Sequence, residues 1–196
     1  MGPLERTIMN LEFGSGSRPA AGWEGCDIRP SEGVKYVCNC WDIHNHVPEG
    51  SVEGIYSRHM FEHLTFKQGE MTLSSWYKIL KPGGVVDMNL PDLKYHVDEY
   101  LRFYNNRDTP NKPNFNHAIG SLFGQQRQDH LGSECFTAHD NLWDVHKSGY
   151  DEVSLKILIE KYGYINFVRK PLGFIPTHGG GSHHNSPWHL DVTFYK

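Results

Sequence analysis

The 196-residue sequence predicts a single α/β domain, and three features carry that expectation. Short apolar runs bounded by Gly and Pro recur through the first ninety residues, as buried strands between tight turns do. Helical periodicity appears between about Lys67 and Lys81 and returns after Asp151, and two further apolar runs close the chain. Five strands, an irregular stretch, then a helix and two strands is the order of a mostly parallel sheet whose last strand runs antiparallel.

Taken in order, the expected strands are 8–13, 23–28, 34–40, 52–57 and 85–90. Leu73, Trp76, Tyr77 and Leu80 fall at i, i+3, i+4 and i+7, so the helix before the fifth strand has one apolar face, and Lys81-Pro82-Gly83-Gly84 is expected to end it. A further helix is expected near Leu93, because Val97, Tyr100, Leu101 and Tyr104 share a face. The stretch 94–149 is then rich in Asn, Pro, Gly and Gln with scattered aromatics, and a loop region that long inside a domain is usually functional. Asp151 is a good N-cap for a helix burying Leu155, Leu158, Ile159 and Tyr162, and strands 165–170 and 189–195 follow.

Composition narrows the function. Hydrophobic residues at 38% and charged residues at 21% allow a packed core in one domain, 1–196. A net charge of −4 argues against broad nucleic-acid binding or attachment to an anionic membrane. No apolar run approaches the roughly 20 residues needed to cross a bilayer. The first residues lack a basic-then-apolar signal, so a cytoplasmic protein is expected. Of the four cysteines, only Cys38 and Cys40 are close, and that spacing is too tight for the usual zinc pair, so reduced thiols are expected. The thirteen histidines gather in groups: His44 with His46, His59 with His63, and His178, His183, His184 with His189.

Ligands on open α/β sheets bind beyond the carboxyl ends of the strands, so the residues that follow each strand matter most. Gly14-Ser15-Gly16 follows the first, where glycine lets the backbone approach a ligand. The dinucleotide fingerprint needs a third glycine at 19, where this chain has Pro, and no Walker motif is present. Asp27 closes the second strand, where a carboxylate can accept from a ribose diol, and Asp42 lies just past the third, placed to accept from an adenine amine.

With Phe61-Glu62-His63-Leu64, Leu80-Lys81-Pro82-Gly83-Gly84 and Leu90-Pro91-Asp92-Leu93, these residues form an ordered set over Leu11 to Leu93. That stretch resembles the class I S-adenosylmethionine-dependent methyltransferases, in particular small type-11-like bacterial and phage enzymes. The resemblance implies a Rossmann-like methyltransferase sheet with S-adenosyl-L-methionine as cofactor. It also implies a cofactor site of Phe13, Gly14, Ser15, Gly16, Asp27, Ile28, Asp42, Ile43 and Ser57. In it Gly14 and Gly16 face the methionine part, Asp27 the ribose and Asp42 the adenine, with Ile28 and Ile43 on either side of the ring. One departure stands out. Only ten residues separate Gly16 from Asp27, too few for the usual crossover helix, which is expected to be missing or reduced to a turn.

The cofactor's sulfonium is already activated, so the protein must align the acceptor, exclude water and, for a hydroxyl or protonated amine, remove a proton. His59, His63 and His146 are the candidate catalytic residues, since histidine titrates near neutrality. No metal is expected. The alternative is a metal-assisted enzyme using His59, Glu62 and His63, a set that suits zinc or iron better than magnesium. The expected reaction moves a methyl group to an O or N atom of a small-molecule or sugar acceptor. A non-catalytic S-adenosylmethionine- or nucleotide-binding protein is the other class. Residues 94–149, with Tyr100, Phe103, Tyr104, Phe115, Phe123 and Phe136, are expected to form a lid over the acceptor pocket, or else a contact in a homodimer.

Overall fold

The computed structural model describes residues 9–106, 115–124, 145–171 and 186–196. Cys135, Phe136, His178, His183 and His184 lie outside these residues. The described strands are β1 (Met9–Phe13), β2 (Glu24–Asp27), β3 (Val34–Val37), β4 (Val52–Arg58), β5 (Leu80–Pro91), β6 (Ile165–Arg169) and β7 (His189–Tyr195). The helices are α1 (Phe66–Ile79), α2 (Leu93–Asn105), α3 (Phe115–Phe123) and α4 (Glu152–Lys161), with 3₁₀ turns at Ile43–Asn45 and Phe61–His63. The seven strands form one sheet in the order β3-β2-β1-β4-β5-β7-β6. Neighbours from β3 to β5 run parallel, and β7 is antiparallel to both β5 and β6. Strand order reverses between β1 and β4, the place where such sheets open a crevice. No described helix is long and apolar enough to cross a membrane.

The crossover from β1 to β2 contains only turns, as its length requires, and the link from β2 to β3 is equally bare. Gly25 shows how tightly these links lie on the strand. A Cβ there would stand 2.8 Å from both the Gly33 carbonyl oxygen and Ser15 Oγ. On the other side of the sheet's midpoint the helices pack normally. Thr65 and Gln68 form a capping box that starts α1. The buried Trp76 of α1 then lies 4.7 Å, ring to ring, from Phe13 of β1. The hydroxyl of Tyr164 donates to the Leu73 carbonyl (2.8 Å), tying the chain after α4 to α1.

Two expectations need correction. Helix α1 ends at Ile79, and Leu80 is already extended and paired with Val52 in β5. Pro82 accounts for an early end, because the residue before a proline is disfavoured in helical conformation and Lys81 can no longer continue the turn. Helix α2 is present, but the stripe of Val97, Leu101 and Tyr104 is exposed, while His96 and Glu99 are its buried residues. Apolar periodicity identified the helix and not the direction its stripe faces.

Candidate active site

A cleft of about 170 Å³ opens at the carboxyl ends of β1, β2 and β4. One wall carries Phe13, Gly14, Asp27 and Ile28, and the other carries His59, Met60, His63 and Lys147. Gly14 has φ +68°, and a Cβ there would lie 2.8 Å from Met60 Cβ, so only glycine fits between the walls. Its N–H donates to the Cys26 carbonyl (2.9 Å), which fixes the turn onto β2.

Asp27 is held from two sides. Gly16 N–H donates to Oδ2 at 3.1 Å and Arg29 N–H to Oδ1 at 2.9 Å, with Arg29 Nε at 3.8 Å. Each carboxylate oxygen has a second lone pair, so the group keeps acceptor capacity toward the cleft while its orientation is set by backbone.

Of the residues assigned to the cofactor from sequence, the structure brings Phe13, Gly14, Asp27 and Ile28 to the cleft. Ser15 and Gly16 lie behind that wall and do not line it. Asp42 accepts from the Asn39 amide nitrogen (3.0 Å), Ile43 is fully buried in the core, and Ser57 is fully buried; none of the three lines the cleft. Asn39 and Trp41 line it instead, along with Cys38 and Cys40. At the end of β3, Trp41 lines the cleft and the adjacent Asp42 does not. Trp41 is the large apolar side chain beside Asp42, and its aromaticity was the signal that could have found it.

Cys26, Cys38 and Cys40 are free thiols at this cleft, and burial raises the pKa of each, that of Cys40 to about 12. They are neutral at physiological pH and unsuited to act as nucleophiles.

The second wall is built on the 3₁₀ turn after β4. His59 has φ +45°, an uncommon backbone state for a non-glycine residue, and its N–H donates to the Asn89 carbonyl (2.9 Å). Its Nδ1 lies 3.1 Å from Oε1 of Glu62, which is buried at 2% exposure. Burial alone would raise the Glu62 pKa, but the hydrogen bond and charge of His59, with His63, outweigh it and leave the carboxyl below its ordinary value.

The end of the stretch 94–149 closes this wall. Lys147 and Ser148 N–H groups donate to the Glu62 carbonyl (2.8 and 3.2 Å). His63 Nδ1 lies 3.3 Å from the Val145 carbonyl, and His146 Nδ1 lies 2.7 Å from the Ser121 carbonyl. The two rings meet edge to face at 5.0 Å. His146 does not line the cleft, and its pKa is lowered by burial. His189, from β7, stacks edge to face on His59 at 4.9 Å, and burial lowers its pKa to about 4. Tyr100, Phe103, Tyr104 and Phe123 do not line the cleft, so among the described residues the aromatics of this stretch build no pocket there.

Residues 25–87 match the profile of a family described as a methyltransferase domain. No curated protein matches the chain. Among solved structures, it resembles a SAM-dependent methyltransferase from Archaeoglobus fulgidus at TM-score 0.56 and 13% identity, over 96% of this chain and 86% of that one. An enzyme of the same description from Methanosarcina mazei gives TM-score 0.55 at 14% identity, over 98% and 92% of the two chains. The 1,6-didemethyltoxoflavin-N1-methyltransferase of Burkholderia thailandensis gives 0.51 at 12% identity, over 96% and 70%, and was crystallised with its acceptor and S-adenosylhomocysteine. At these identities the solved structures speak for the fold, and within that fold residues 25–87, running from β2 into β5, are similar to a methyltransferase domain.

Proposed function

We propose that the cleft binds S-adenosyl-L-methionine and that the enzyme methylates an O or N atom of a small-molecule acceptor, sugar hydroxyls and amines included. The observation that carries this reading is the cleft at the reversal point of the sheet, with Gly14 and Asp27 on one wall and His59 and His63 on the other. The first wall fits the cofactor. Gly14 removes the Cβ that would fill the space against Met60, Asp27 offers oriented acceptors to a diol, and Ile28 and Trp41 offer apolar and aromatic faces for a base. The cofactor supplies a methyl group on a sulfonium that leaves as a neutral thioether.

His59 is the general base of this proposal. With Nδ1–H donating to the Glu62 carboxylate, its Nε2 is the proton acceptor, and the carboxylate stabilises the imidazolium that forms. This is how a buried acid commonly orients a catalytic imidazole. Residues 145–148, which dock on Glu62, suit the inner edge of a lid over the acceptor, and the exposed Val97, Leu101 and Tyr104 stripe on α2 suits a contact with a second subunit. The Burkholderia enzyme, crystallised with a small heterocycle, supports an acceptor of that size.

Titration calorimetry with S-adenosyl-L-methionine, followed by release of S-adenosylhomocysteine over an acceptor panel, tests the reading. Micromolar binding with acceptor-dependent turnover is expected, and His59→Asn should lower kcat while leaving cofactor affinity unchanged. Cofactor binding without turnover on any acceptor would favour a non-catalytic binding protein, and no cofactor binding would overturn both.

A further inference from the structure

Beside His59, the 3₁₀ turn Phe61–His63 and His146 bring together a second group of ligands, of which the reaction above uses only Glu62, through its hydrogen bond to His59. Glu62, His63 and His146 each offer one ligand atom, and these atoms all lie within 4.8 Å of one another, the one such triad found among the described residues. We propose that Glu62, His63 and His146 bind a divalent first-row transition ion, zinc or iron(II) by the chemistry of the donors.

The hydrogen bonds around the triad make each donor a ligand. Both imidazoles place Nδ1 on a backbone carbonyl, Val145 for His63 and Ser121 for His146. A carbonyl oxygen only accepts, so each Nδ1 must carry the proton, and each Nε2 is left with a bare lone pair. Metal-bound histidines are held in this way, by an outer partner on the other ring nitrogen. Glu62 completes the pattern: Oε1 takes the bond from His59, while Oε2 is buried with no hydrogen-bond partner among the described residues. A buried orphan carboxylate oxygen is expensive to maintain, and a cation is the natural partner for it.

Two imidazole nitrogens and one carboxylate oxygen suit zinc or iron(II) and are poor ligands for magnesium, which prefers oxygen throughout. A tetrahedral ion with bonds of about 2.1 Å holds its ligands roughly 3.4 Å apart, so the triad, within 4.8 Å, must draw together to bind one. The triad differs from the His59, Glu62, His63 set expected from the sequence, because His59 is committed to Glu62 and faces the cleft, while His146 arrives from a segment more than eighty residues away. His63 and Lys147 also line the cleft, so an ion here would have its open positions at the acceptor end. That placement, which rests on the proposed function, makes it a holder for an acceptor hydroxyl or amine.

Cobalt(II) and zinc titrations of the full chain test the site without any enzymatic assay. One equivalent of cobalt should bind with visible d–d bands of a four- or five-coordinate N/O site, and zinc should displace it. Glu62→Gln and His146→Ala should each weaken zinc binding at least tenfold, while folded controls at His44 and at His183/His184 should bind as the parent does. A near-ultraviolet thiolate-to-cobalt band would assign the ion to the cysteines, and loss of binding in the His183/His184 variant would assign it to those histidines; either result overturns the proposal, as does no stoichiometric binding. Calorimetry with S-adenosyl-L-methionine on the same samples separates the two readings. Cofactor binding without metal binding removes this inference alone, and metal binding without cofactor binding removes the proposed function and leaves the ion site standing.

Discussion

The two halves of the sheet are built by different rules. From β4 to β6 the strands are joined or backed by α1 and α4, and β5 is buried along most of its inner length. From β3 to β1 the connections are helix-free turns, and β3 alternates half-buried with exposed residues. A strand covered on both faces gains its stability from side-chain burial, whereas the thin half, with Leu11, Phe13 and Cys26 in the core, adds close backbone contacts: Gly25 against Gly33, Gly14 on the Cys26 carbonyl, and Asp27 on two amides. The thick half has helices packed over it, and the thin half has only bare connections at its end of the cleft.

The comparison breaks most directly at the core. Trp76→Ala, in the thick half, should destabilise the fold by about 3–5 kcal/mol, as truncation of a buried aromatic does. Tyr36→Ala, in the thin half, should cost about 1 kcal/mol, the typical value for a point substitution. Urea unfolding of both variants measures this, and equal losses would mean that the halves share one mode of stabilisation.

Ligand binding should show the reverse ranking. Asp27→Ala should weaken S-adenosyl-L-methionine by about 1.5–3 kcal/mol, the range for hydrogen bonds to a charged group, which calorimetry reads as roughly tenfold or more in Kd. The change also frees the Gly16 and Arg29 amides, so part of the loss should reach the cofactor through the turn. Gly14→Ala adds backbone strain of about 1–3 kcal/mol and a contact with Met60, while Gly16→Ala meets open space and adds only the strain of its positive φ. The first should therefore reduce both stability and cofactor affinity by more than the second, in paired melting and titration experiments.

Acid should act through the wall that carries histidines. His189 has its pKa lowered by burial to about 4, so the unfolded chain binds its proton first as pH falls. Its contribution leaves stability unchanged above about pH 6.5 and reduces it progressively from there down to about pH 4. His189→Gln should flatten that slope, measured as Tm against pH; an unaltered slope would show that another group titrates. The smallest effect is expected at Asp42, whose carboxylate serves the Asn39 side chain outside the cleft. Asp42→Ala should change cofactor affinity by less than about 0.5 kcal/mol, the usual limit for a surface substitution.

Strand positions, the missing first crossover helix and the Gly14 and Asp27 wall were legible in the sequence, because each depends on local chemistry. Gly-x-Gly after a strand, a carboxylate at the next strand end and the spacing between them act over ten or fifteen residues, within reach of pattern reasoning. The direction of the α2 stripe was not, since which face a helix buries depends on neighbours that its own periodicity does not name. The same limit applies to Trp41 and Asp42, adjacent in the chain, of which only one lines the cleft.

The amino-acid sequence by itself determined the fold class, the succession of strands along the chain and the Gly14 and Asp27 wall of the cleft. Only the tertiary structure decided that His146 would join Glu62 and His63 in place of His59, and that Glu62 would be buried with one oxygen unpartnered. The reason is physical. Propensity and turn chemistry act between near neighbours, whereas the desolvation of a carboxylate and the lone pair left on an imidazole depend on backbone carbonyls that only the folded chain delivers.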